Sequence, residues 1–431
     1  MPGTLLEWPA WPEFIKIDTL DPDFLKAKHE IIAQYGEPAL RASWLETCAK
    51  LDGITEDIIN RGSSIIPIIK IQDVLRVGFT EEQEAEIKRV GSFVIRDVIP
   101  EREATELFQD LKNYVANNQQ HITGWPTETP SILSIYTSPV QMTVRTHPNQ
   151  LALQRHLNAL WHDSTGETSP DPLLYFDGVR IRAPNQTFMG LGPHIDAGSL
   201  CRWADPAYRL VYDKVFSGHV SEHDSFDLGI RKSADQYMFP GSAQSTFFRS
   251  FQGWTALTRA APREGSLMLY PNVATAIAYV LLRPFFHPPA NEADILDAEK
   301  WTFNAEDGFF PGTYKPNSQL LSPTSHPHLR LMECMVNIPT MKAGDTVWWH
   351  SDVCHAVEPE HTGKDDASVV YVAASPTTEI NKAYTKRQLE AVLAGRAPPD
   401  FRAHGNADET KFKGYVGFAG MSEEAKKALG I

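Results

Sequence analysis

The middle of this 431-residue chain contains seven short runs of strand-forming residues, and turn-forming residues separate each run from the next. These runs lie at 178–182, 245–251, 254–258, 266–270, 331–338, 345–349 and 368–373. Many short strands joined by turns rich in Gly and Pro are typical of an all-β sandwich or barrel. The sequence therefore predicts a mainly β core in this part of the chain.

Helical patterns flank the β-rich region. Asp21 and Pro22 are typical of a helix start, and Thr80 and Gln83 have the spacing of a capping box. The predicted helices lie at 24–35, 39–51, 80–90, 100–117, 381–394 and 422–429, with one strand at 91–97. The apolar run at 65–69 is interrupted by Pro67, which favours a segment covering the core over a central strand.

The composition excludes several classes of function. Lys and Arg total 40 against 54 Asp and Glu, which gives a formal net charge of −14. An acidic chain is a poor general binder of nucleic acids or anionic membranes, because both select for basic patches. The four cysteines form no CxxC pair, and we find no secretory leader and no apolar stretch long enough to span a membrane. We therefore expect a soluble cytoplasmic protein whose cysteines are reduced.

The first segment with chemical character is GPHIDAG at 192–198. In a strand, residues i and i+2 point to the same face, so His194 and Asp196 would present an imidazole and a carboxylate side by side. Two His and one carboxylate form the facial triad that binds Fe(II) and leaves open positions. This pair supplies two of the three ligands.

The second segment is GDTVWWHSDVCH at 344–355, a strand-like run that ends in two histidines. His355 completes the triad if it projects into the same cavity as His194 and Asp196. A local set of His350, Asp352 and His355 is the competing arrangement. A third interpretation is that His350 and His355 only form hydrogen bonds at the end of a strand.

These segments resemble known families. Residues 80–115 look like the opening of phytanoyl-CoA-hydroxylase-like 2-oxoglutarate oxygenases, and 192–198 with 344–359 look like the paired metal motifs of that superfamily. From about residue 20 onward the chain is similar to a bacterial and fungal family named after a fungal N-acetylglucosamine-induced gene product. The segments that carry this likeness are VRIRAP (179–184), GPHIDAGSLCRWADPAYRLVY (192–212), FFRSFQGWTAL (247–257), LLRPFF (281–286), DDASVVYVAASPTT (365–378) and PPDF (398–401).

The resemblance implies a double-stranded β-helix, a cupin-like jelly roll, that holds Fe(II) and uses 2-oxoglutarate and O₂ as co-substrates. Carried over by position, His194, Asp196 and His355 would be the iron ligands. His350 would line or support the site.

One element of the superfamily pattern is missing from this chain. Relatives usually hold the distal carboxylate of 2-oxoglutarate with an Arg about 10–15 residues after the distal His, because a planar guanidinium suits a carboxylate. Here that window contains no Arg, and the only cation near it is Lys364, nine positions after His355, which is one candidate for this contact. Arg249 and Arg182 are the candidate substitutes, and Ser368 and Tyr371 could add hydroxyl contacts. The alternative for each arginine is a structural ion pair, for example with Asp177.

Further residues are candidates for the substrate pocket or for support of the metal site: Arg180, Arg202, Trp203 and Gln252. Trp203 is equally compatible with an ordinary core position, and a satisfied core amide is the alternative for Gln252.

We therefore predict a mainly β molecule with helical extensions. An N-terminal helical region (1–130) and a C-terminal helical extension (376–431) pack on an oxygenase core (131–375) that has insertions near 205–245 and 284–330. The predicted function is Fe(II)/2-oxoglutarate-dependent oxidation of a small polar metabolite. The alternatives are a metalloenzyme of the same fold that does not use 2-oxoglutarate and a cupin-like binding protein without activity.

Overall fold

The computed structural model describes residues 21–188, 190–241, 244–404, 408–418 and 420–431. Residues 1–20, where a leader would lie, are outside this range. The α-helices of the described residues are α1 (Pro22–Arg61), α2 (Ile71–Val77), α3 (Glu81–Val90), α4 (Glu101–Asn118), α5 (Pro139–Thr146), α6 (Pro148–Ala159), α7 (Cys201–Ala204), α8 (Pro206–Val211), α9 (Asp213–Phe216), α10 (Leu228–Arg231), α11 (Ala274–Leu282), α12 (Leu331–Cys334), α13 (Glu379–Leu393) and α14 (Glu423–Leu429).

The strands are mostly short. Over the same residues they are β1 (Ile68–Lys70), β2 (Ser92–Arg96), β3 (Gly124–Trp125), β4 (Ile132–Leu133), β5 (Ser169–Pro172), β6 (Val179–Arg182), β7 (Leu191–Ile195), β8 (Phe251–Ala256), β9 (Leu267–Leu269), β10 (Phe286–His287), β11 (Thr302–Phe303), β12 (Gln319–Leu320), β13 (Val336–Asn337), β14 (Thr346–His350), β15 (His355–Val357), β16 (Ala367–Ala374) and β17 (Pro376–Thr377).

Two sheets form the centre of the molecule. The larger has the order β1-β2-β14-β8-β16-β6-β4-β3, and the smaller has the order β12-β7-β15-β9-β13. All neighbours in both sheets are antiparallel except β1 and β2. With so many helices around the two sheets, the molecule is a mixed α and β structure and not the mainly β one that the sequence predicted.

The N-terminal region contributes to the larger sheet as well as packing on it. The predicted strand at 91–97 is β2, which pairs with β14, and part of the apolar run at 65–69 forms the edge strand β1. The capping box is present: the Thr80 hydroxyl accepts from the Gln83 backbone, and the Gln83 side chain accepts from Thr80 N. Helix α1 continues across the kink at Gly36 (φ 79°) and joins the two helices predicted at 24–35 and 39–51.

The strands predicted at 245–251 and 331–338 are wrong over most of their length, whereas the one predicted at 254–258 overlaps an observed strand. Residues 245–250 are irregular, and one strand, Phe251–Ala256, replaces the two predicted at 245–251 and 254–258. Phe247 stacks on Tyr175 and Phe248 packs edge-on against Trp161, so these rings are buried by aromatic contacts without a strand ladder. The run at 331–338 divides into the short helix α12 and the two-residue strand β13.

One large apolar core joins the helical and sheet regions. Its buried members run from Phe24 in α1 through both sheets to Phe412 near the C-terminus. The first long segment between strands, around 205–245, carries α8, α9 and α10, whereas the second, 284–330, carries β10, β11 and β12. In the part of the chain that the structure describes, no helix combines the length and the apolar character needed to cross a membrane.

Candidate metal centre

Three potential ligands lie on two neighbouring strands of the smaller sheet. His194 is in β7, and Asp196 follows directly after the end of that strand. His355 opens β15, where its Cα is the direct cross-strand partner of the Cα of His194. Residues opposite each other in an antiparallel pair present their side chains to the same face of the sheet. The register therefore places the two imidazoles side by side, with the carboxylate next to them.

The ligand atoms of these three side chains converge. The His194 Nε2 lies 3.9 Å from Asp196 Oδ1, and the His355 Nε2 lies 3.5 Å from Asp196 Oδ2. The imidazole centroids are 4.2 Å apart, and one ligand atom from each residue lies within 4.8 Å of the others. Of the two arrangements that the sequence left open, the structure assembles His194, Asp196 and His355.

Backbone carbonyls fix the orientation of both imidazoles. The His194 Nδ1 is 2.7 Å from Gly192 O, and the His355 Nδ1 is 3.1 Å from Val353 O. A carbonyl oxygen only accepts, so each Nδ1 carries the proton and each Nε2 keeps a free lone pair. Burial lowers the pKa of His194 to about 4, which keeps this imidazole in the neutral form that a metal requires.

Two donors hold the carboxylate of Asp196. Gln252 in β8 donates from Nε2 to Oδ2 at 2.8 Å, and Ser318 donates from Oγ to Oδ1 at 2.6 Å. Burial raises the pKa of Asp196, but His355, His194 and Arg249 outweigh it and hold the pKa well below its ordinary value. Sequence reasoning placed Gln252 near the site but missed Ser318, because a single serine in a long insertion carries no pattern.

The chain turns sharply after Asp196. Ala197 has φ 61° and Gly198 has φ 101°, where a Cβ would lie 2.5 Å from Cys201 Sγ. Left-handed backbone at a non-glycine residue costs free energy and persists where the surroundings impose it. Here the Tyr208 hydroxyl donates to Ala197 O at 2.7 Å, and Arg202 donates to Asp196 O at 2.5 Å. These two hydrogen bonds therefore fix the backbone of the turn that carries Asp196.

Arg202 belongs to a buried charge cluster. It donates from Nη1 to Asp352 Oδ1 at 2.6 Å, and Arg231 donates to both oxygens of the same carboxylate at 2.6 Å. The side chains of Arg202, Arg231 and Asp352 are all fully buried. Asp352 is thus engaged by two arginines, which removes it from the alternative ligand set, and Arg202 supports the ligand turn and does not line the cavity.

His350 and Trp203 are packing residues. The His350 ring stacks on Trp161 at 4.7 Å and its Nε2 lies 3.0 Å from Ser225 O, while burial lowers its pKa to about 3. Trp203 is fully buried and donates to Leu281 O at 2.9 Å. Neither residue lines the cavity at the three ligands.

The three ligands form part of the wall of a cavity of about 360 Å³ between the two sheets. Both sheets contribute lining residues, among them Leu267 and Val357 from the smaller and Trp254 from the larger. Five other residues that the sequence placed at the site also line this cavity: Arg180, Arg249, Gln252, Ser368 and Tyr371. Asp177 lines it as well.

Arg180 lies in the wall next to β16. It is a direct partner of Val369 in the sheet register, and its Nη2 donates to Gly265 O at 2.5 Å. The Ser368 hydroxyl donates to Arg180 O at 2.9 Å, and Tyr371 interacts with the Arg180 side chain. Val369 lies fourteen residues after His355, within the window where the superfamily pattern expects its arginine. A neighbouring strand thus supplies a guanidinium at that place.

Arg249 lies at the opposite end of the same wall. It is in the irregular segment before β8, and its guanidinium sits over the Tyr175 ring at 5.2 Å. Ser250 N donates to Ala374 O, so this segment is aligned with the end of β16, five residues beyond Val369. At about 3.4 Å per residue, the backbones that carry Arg180 and Arg249 are separated by about 17 Å along β16.

The structure does not bring Arg182 and Lys364 to the cavity. Arg182 is fully buried and donates to the backbone carbonyls of Glu358, Gln186 and Pro359, with its guanidinium over Phe188 at 4.9 Å. Its donors therefore hold a loop in place. Lys364 is an exposed residue in the turn before β16.

The donor set fits a non-haem iron site. Two neutral imidazole nitrogens and one carboxylate oxygen on one side of a cavity are the facial arrangement that leaves positions open for other ligands. The contacts of both imidazoles with carbonyls and of the carboxylate with Gln252 and Ser318 provide the outer hydrogen bonds that orient such ligands.

Comparison with known proteins gives the family. A family model described as Gig2-like matches residues 18–431, so the chain belongs to the Gig2-like family, and the resemblance found in the sequence is confirmed. The chain is similar to YbiU of Escherichia coli K12, with 32% identity over 96% of this chain and 99% of that protein.

Solved structures agree with this assignment. The crystal structure of the product of GlcNAc Inducible Gene 2 from Candida albicans matches with a TM-score of 0.85 and 27% identity, over 96% of this chain and 90% of that one. The structure of JW0805 from Escherichia coli matches with a TM-score of 0.80 and 31% identity, over 96% and 99%.

Proposed function

We propose that this protein is an Fe(II)/2-oxoglutarate-dependent dioxygenase that oxidises a small polar metabolite. The observation that carries the proposal is the convergence of His194, Asp196 and His355 within 4.8 Å on the wall of a cavity that also contains Arg180. A three-residue facial site leaves positions for a bidentate oxo acid and for O₂. An arginine elsewhere in the same cavity supplies the partner that the second carboxylate of 2-oxoglutarate requires.

The sheet topology supports a jelly-roll assignment. Along the chain, β6, β8, β14 and β16 belong to the larger sheet, and β7, β9, β13 and β15 belong to the smaller one. Four strands in each sheet, ordered β6-β16-β8-β14 and β7-β15-β9-β13, are the two halves that a double-stranded β-helix requires. We place this unit within residues 131–375, with the regions 1–130 and 376–431 packed around it.

The chain's own residues would do three things in the reaction. His194, Asp196 and His355 would hold the iron, which together with the oxo acid and O₂ supplies the oxidising chemistry. Arg180 and Tyr371 would form the cradle for the distal carboxylate, with the Ser368 hydroxyl holding the Arg180 backbone. They would act in place of Arg182 and Lys364, which lie outside the cavity. The apolar walls, including Trp254 and Leu267, would exclude water from the reacting atoms.

Anaerobic titration of the Fe(II)-loaded protein with 2-oxoglutarate tests the proposal. We expect a weak visible charge-transfer band near roughly 500 nm, which is expected when an oxo acid chelates an open facial iron site. The His194→Ala, His355→Ala double variant should lose both the iron and the band, and full iron occupancy in that variant would refute the ligand assignment. Iron binding without a band would favour a metalloenzyme of this fold that does not use 2-oxoglutarate, and no iron uptake would favour a binding protein.

The role of Arg180 is tested in the same experiment. In Arg180→Met the iron ligands remain, so the band should still form at saturation, but the apparent Kd for 2-oxoglutarate should rise by about 10-fold or more because a charge-assisted hydrogen-bond pair is lost. Arg259→Met is the matched control, since Arg259 also lines the cavity but is paired with Glu264. An unchanged Kd in Arg180→Met would contradict the assignment.

A further inference from the structure

Once Arg180 is assigned to the co-substrate, a second cavity arginine, Arg249, remains whose charge favours ionised Asp196 but whose donors have no acceptor in the described part of the chain. Arg249 is partly buried, and among the described residues no carboxylate lies within ion-pair distance of it and no hydrogen bond of its guanidinium is formed. Its nearest defined contact is the face of Tyr175. A guanidinium has five donors, and a partly buried one without acceptors is costly unless a ligand supplies them.

The carboxylates around Arg249 are engaged elsewhere. Asp177 accepts from Gly178 N at 2.6 Å, and Asp400 accepts from the Tyr175 hydroxyl at 2.8 Å. Both are close enough to interact electrostatically with Arg249. They offset the positive charge in the surroundings but leave the hydrogen-bonding edge of the guanidinium free. These two carboxylates would repel the second negative charge of a dianionic ligand.

Arg249 is at the metal end of the cavity. It lies three residues before Gln252, which holds Asp196, whereas Arg180 is about five residues away along β16. A co-substrate that chelates the metal with one end and reaches Arg180 with the other does not occupy the space at Arg249. The remaining space beside the metal is where the molecule to be oxidised must lie.

We propose that Arg249 binds a single carboxylate of the primary substrate and so restricts the enzyme to monocarboxylate-bearing small molecules. This inference rests on the proposed function. The planar guanidinium and its ring contact with Tyr175 suit bidentate binding of a carboxylate. Asp177 and Asp400 disfavour a dianion such as a phosphate monoester.

Calorimetric titration of the anaerobic Fe(II) protein, saturated with 2-oxoglutarate, tests this with two isosteric probes, pentanoate and pentanamide. We expect pentanoate to bind while the visible band persists, and pentanamide to bind at least about 10-fold more weakly, as loss of a charge-assisted pair implies. In Arg249→Met the affinity for pentanoate should fall by a similar factor. Arg249→Lys should restore part of it, and Arg259→Met should leave it unchanged.

The outcomes separate the two proposals. If the band never forms in the unmodified protein, the proposed function fails. If the band forms but pentanoate binds Arg249→Met as tightly as the unmodified protein, or if pentanoate removes the band by displacing 2-oxoglutarate, only the assignment of Arg249 is overturned. Retention of the band in Arg249→Met at saturating 2-oxoglutarate shows that this variant is folded and loaded.

Discussion

At the scale of single residues, the candidate centre depends on how the carboxylate of Asp196 is oriented. One of its oxygens accepts from Gln252 and the other accepts from Ser318, while both face the two imidazoles. A carboxylate with one donor on each oxygen cannot rotate without breaking a hydrogen bond. The two donors come from different parts of the chain, a strand of the larger sheet and the 284–330 insertion, so the insertion takes part in building the site.

Ser318→Ala should therefore weaken metal binding without unfolding the protein. Loss of an outer hydrogen bond to a metal ligand lowers affinity by about 10–100-fold, and we expect a fall in Fe(II) affinity in this range. Competition with a chelator under anaerobic conditions measures it. Ser322→Ala is the matched control, because its hydroxyl lies in the same insertion but bonds only to Ser325. Equal Fe(II) affinity in both variants would contradict the orienting role of Ser318.

At the scale of elements, a buried ion cluster connects the two segments that carry the ligands. Arg202 lies in α7, just after the turn at Asp196, and Asp352 lies in the turn between β14 and β15, three residues before His355. Arg231 in α10 closes the cluster from the 205–245 insertion. Movement of either ligand segment relative to the other would break hydrogen bonds between charged groups in the interior.

Asp352→Asn should be strongly destabilising. It leaves two buried guanidinium groups without a carboxylate, and breaking a buried charge pair from one side costs about 3–5 kcal/mol. Urea unfolding of the metal-free protein measures the loss. Asp57→Asn breaks ion pairs with Arg61 and Arg89 whose side chains are more than a third exposed, and it should cost less than about 1 kcal/mol. Similar losses of unfolding free energy in the two variants would show that the buried cluster stabilises the fold no more than an exposed ion pair does.

The same elements show what the sequence could and could not predict. The pair His194 and Asp196 follows from the two-residue period of a strand, and the capping box at Thr80 follows from a local spacing. The partnership of His194 with His355, and the position of Arg180 beside Val369, depend on strand register across the molecule. Residue spacing alone does not contain that register, so His355 can be assigned as a ligand only with the help of the family resemblance. For the same reason the sequence favours Arg249 and Arg182, and not Arg180, as the partner of the distal carboxylate.

At the scale of the whole molecule, one continuous core encloses several histidines as well as apolar residues. His326, His328 and His350 are 1%, 5% and 0% exposed, and none of them is one of the three candidate ligands. Burial lowers the pKa of His328 to about 4 and that of His350 to about 3, and it holds the pKa of His326 well below its ordinary value. These imidazoles are therefore neutral in the folded protein at mildly acidic pH.

The folded protein should lose stability as the pH falls below about 6.5, the pKa of histidine in an unfolded chain. Between this pH and roughly 4.5 the unfolded state binds these protons and the folded state does not, so the free energy of unfolding rises with pH and falls on acidification. These three histidines alone contribute about 4 kcal/mol per pH unit to the slope near pH 5, and buried His194 and His223, whose pKa values are also lowered to about 4, add to it. Urea unfolding of the metal-free protein at pH 7, 6 and 5 measures the slope.

The control variant His350→Phe keeps a ring against Trp161. It should reduce the slope by about 1.4 kcal/mol per pH unit, the contribution of one proton. An equal free energy of unfolding at pH 5 and pH 7 would contradict the prediction, because it would show that these imidazoles become protonated in the folded protein.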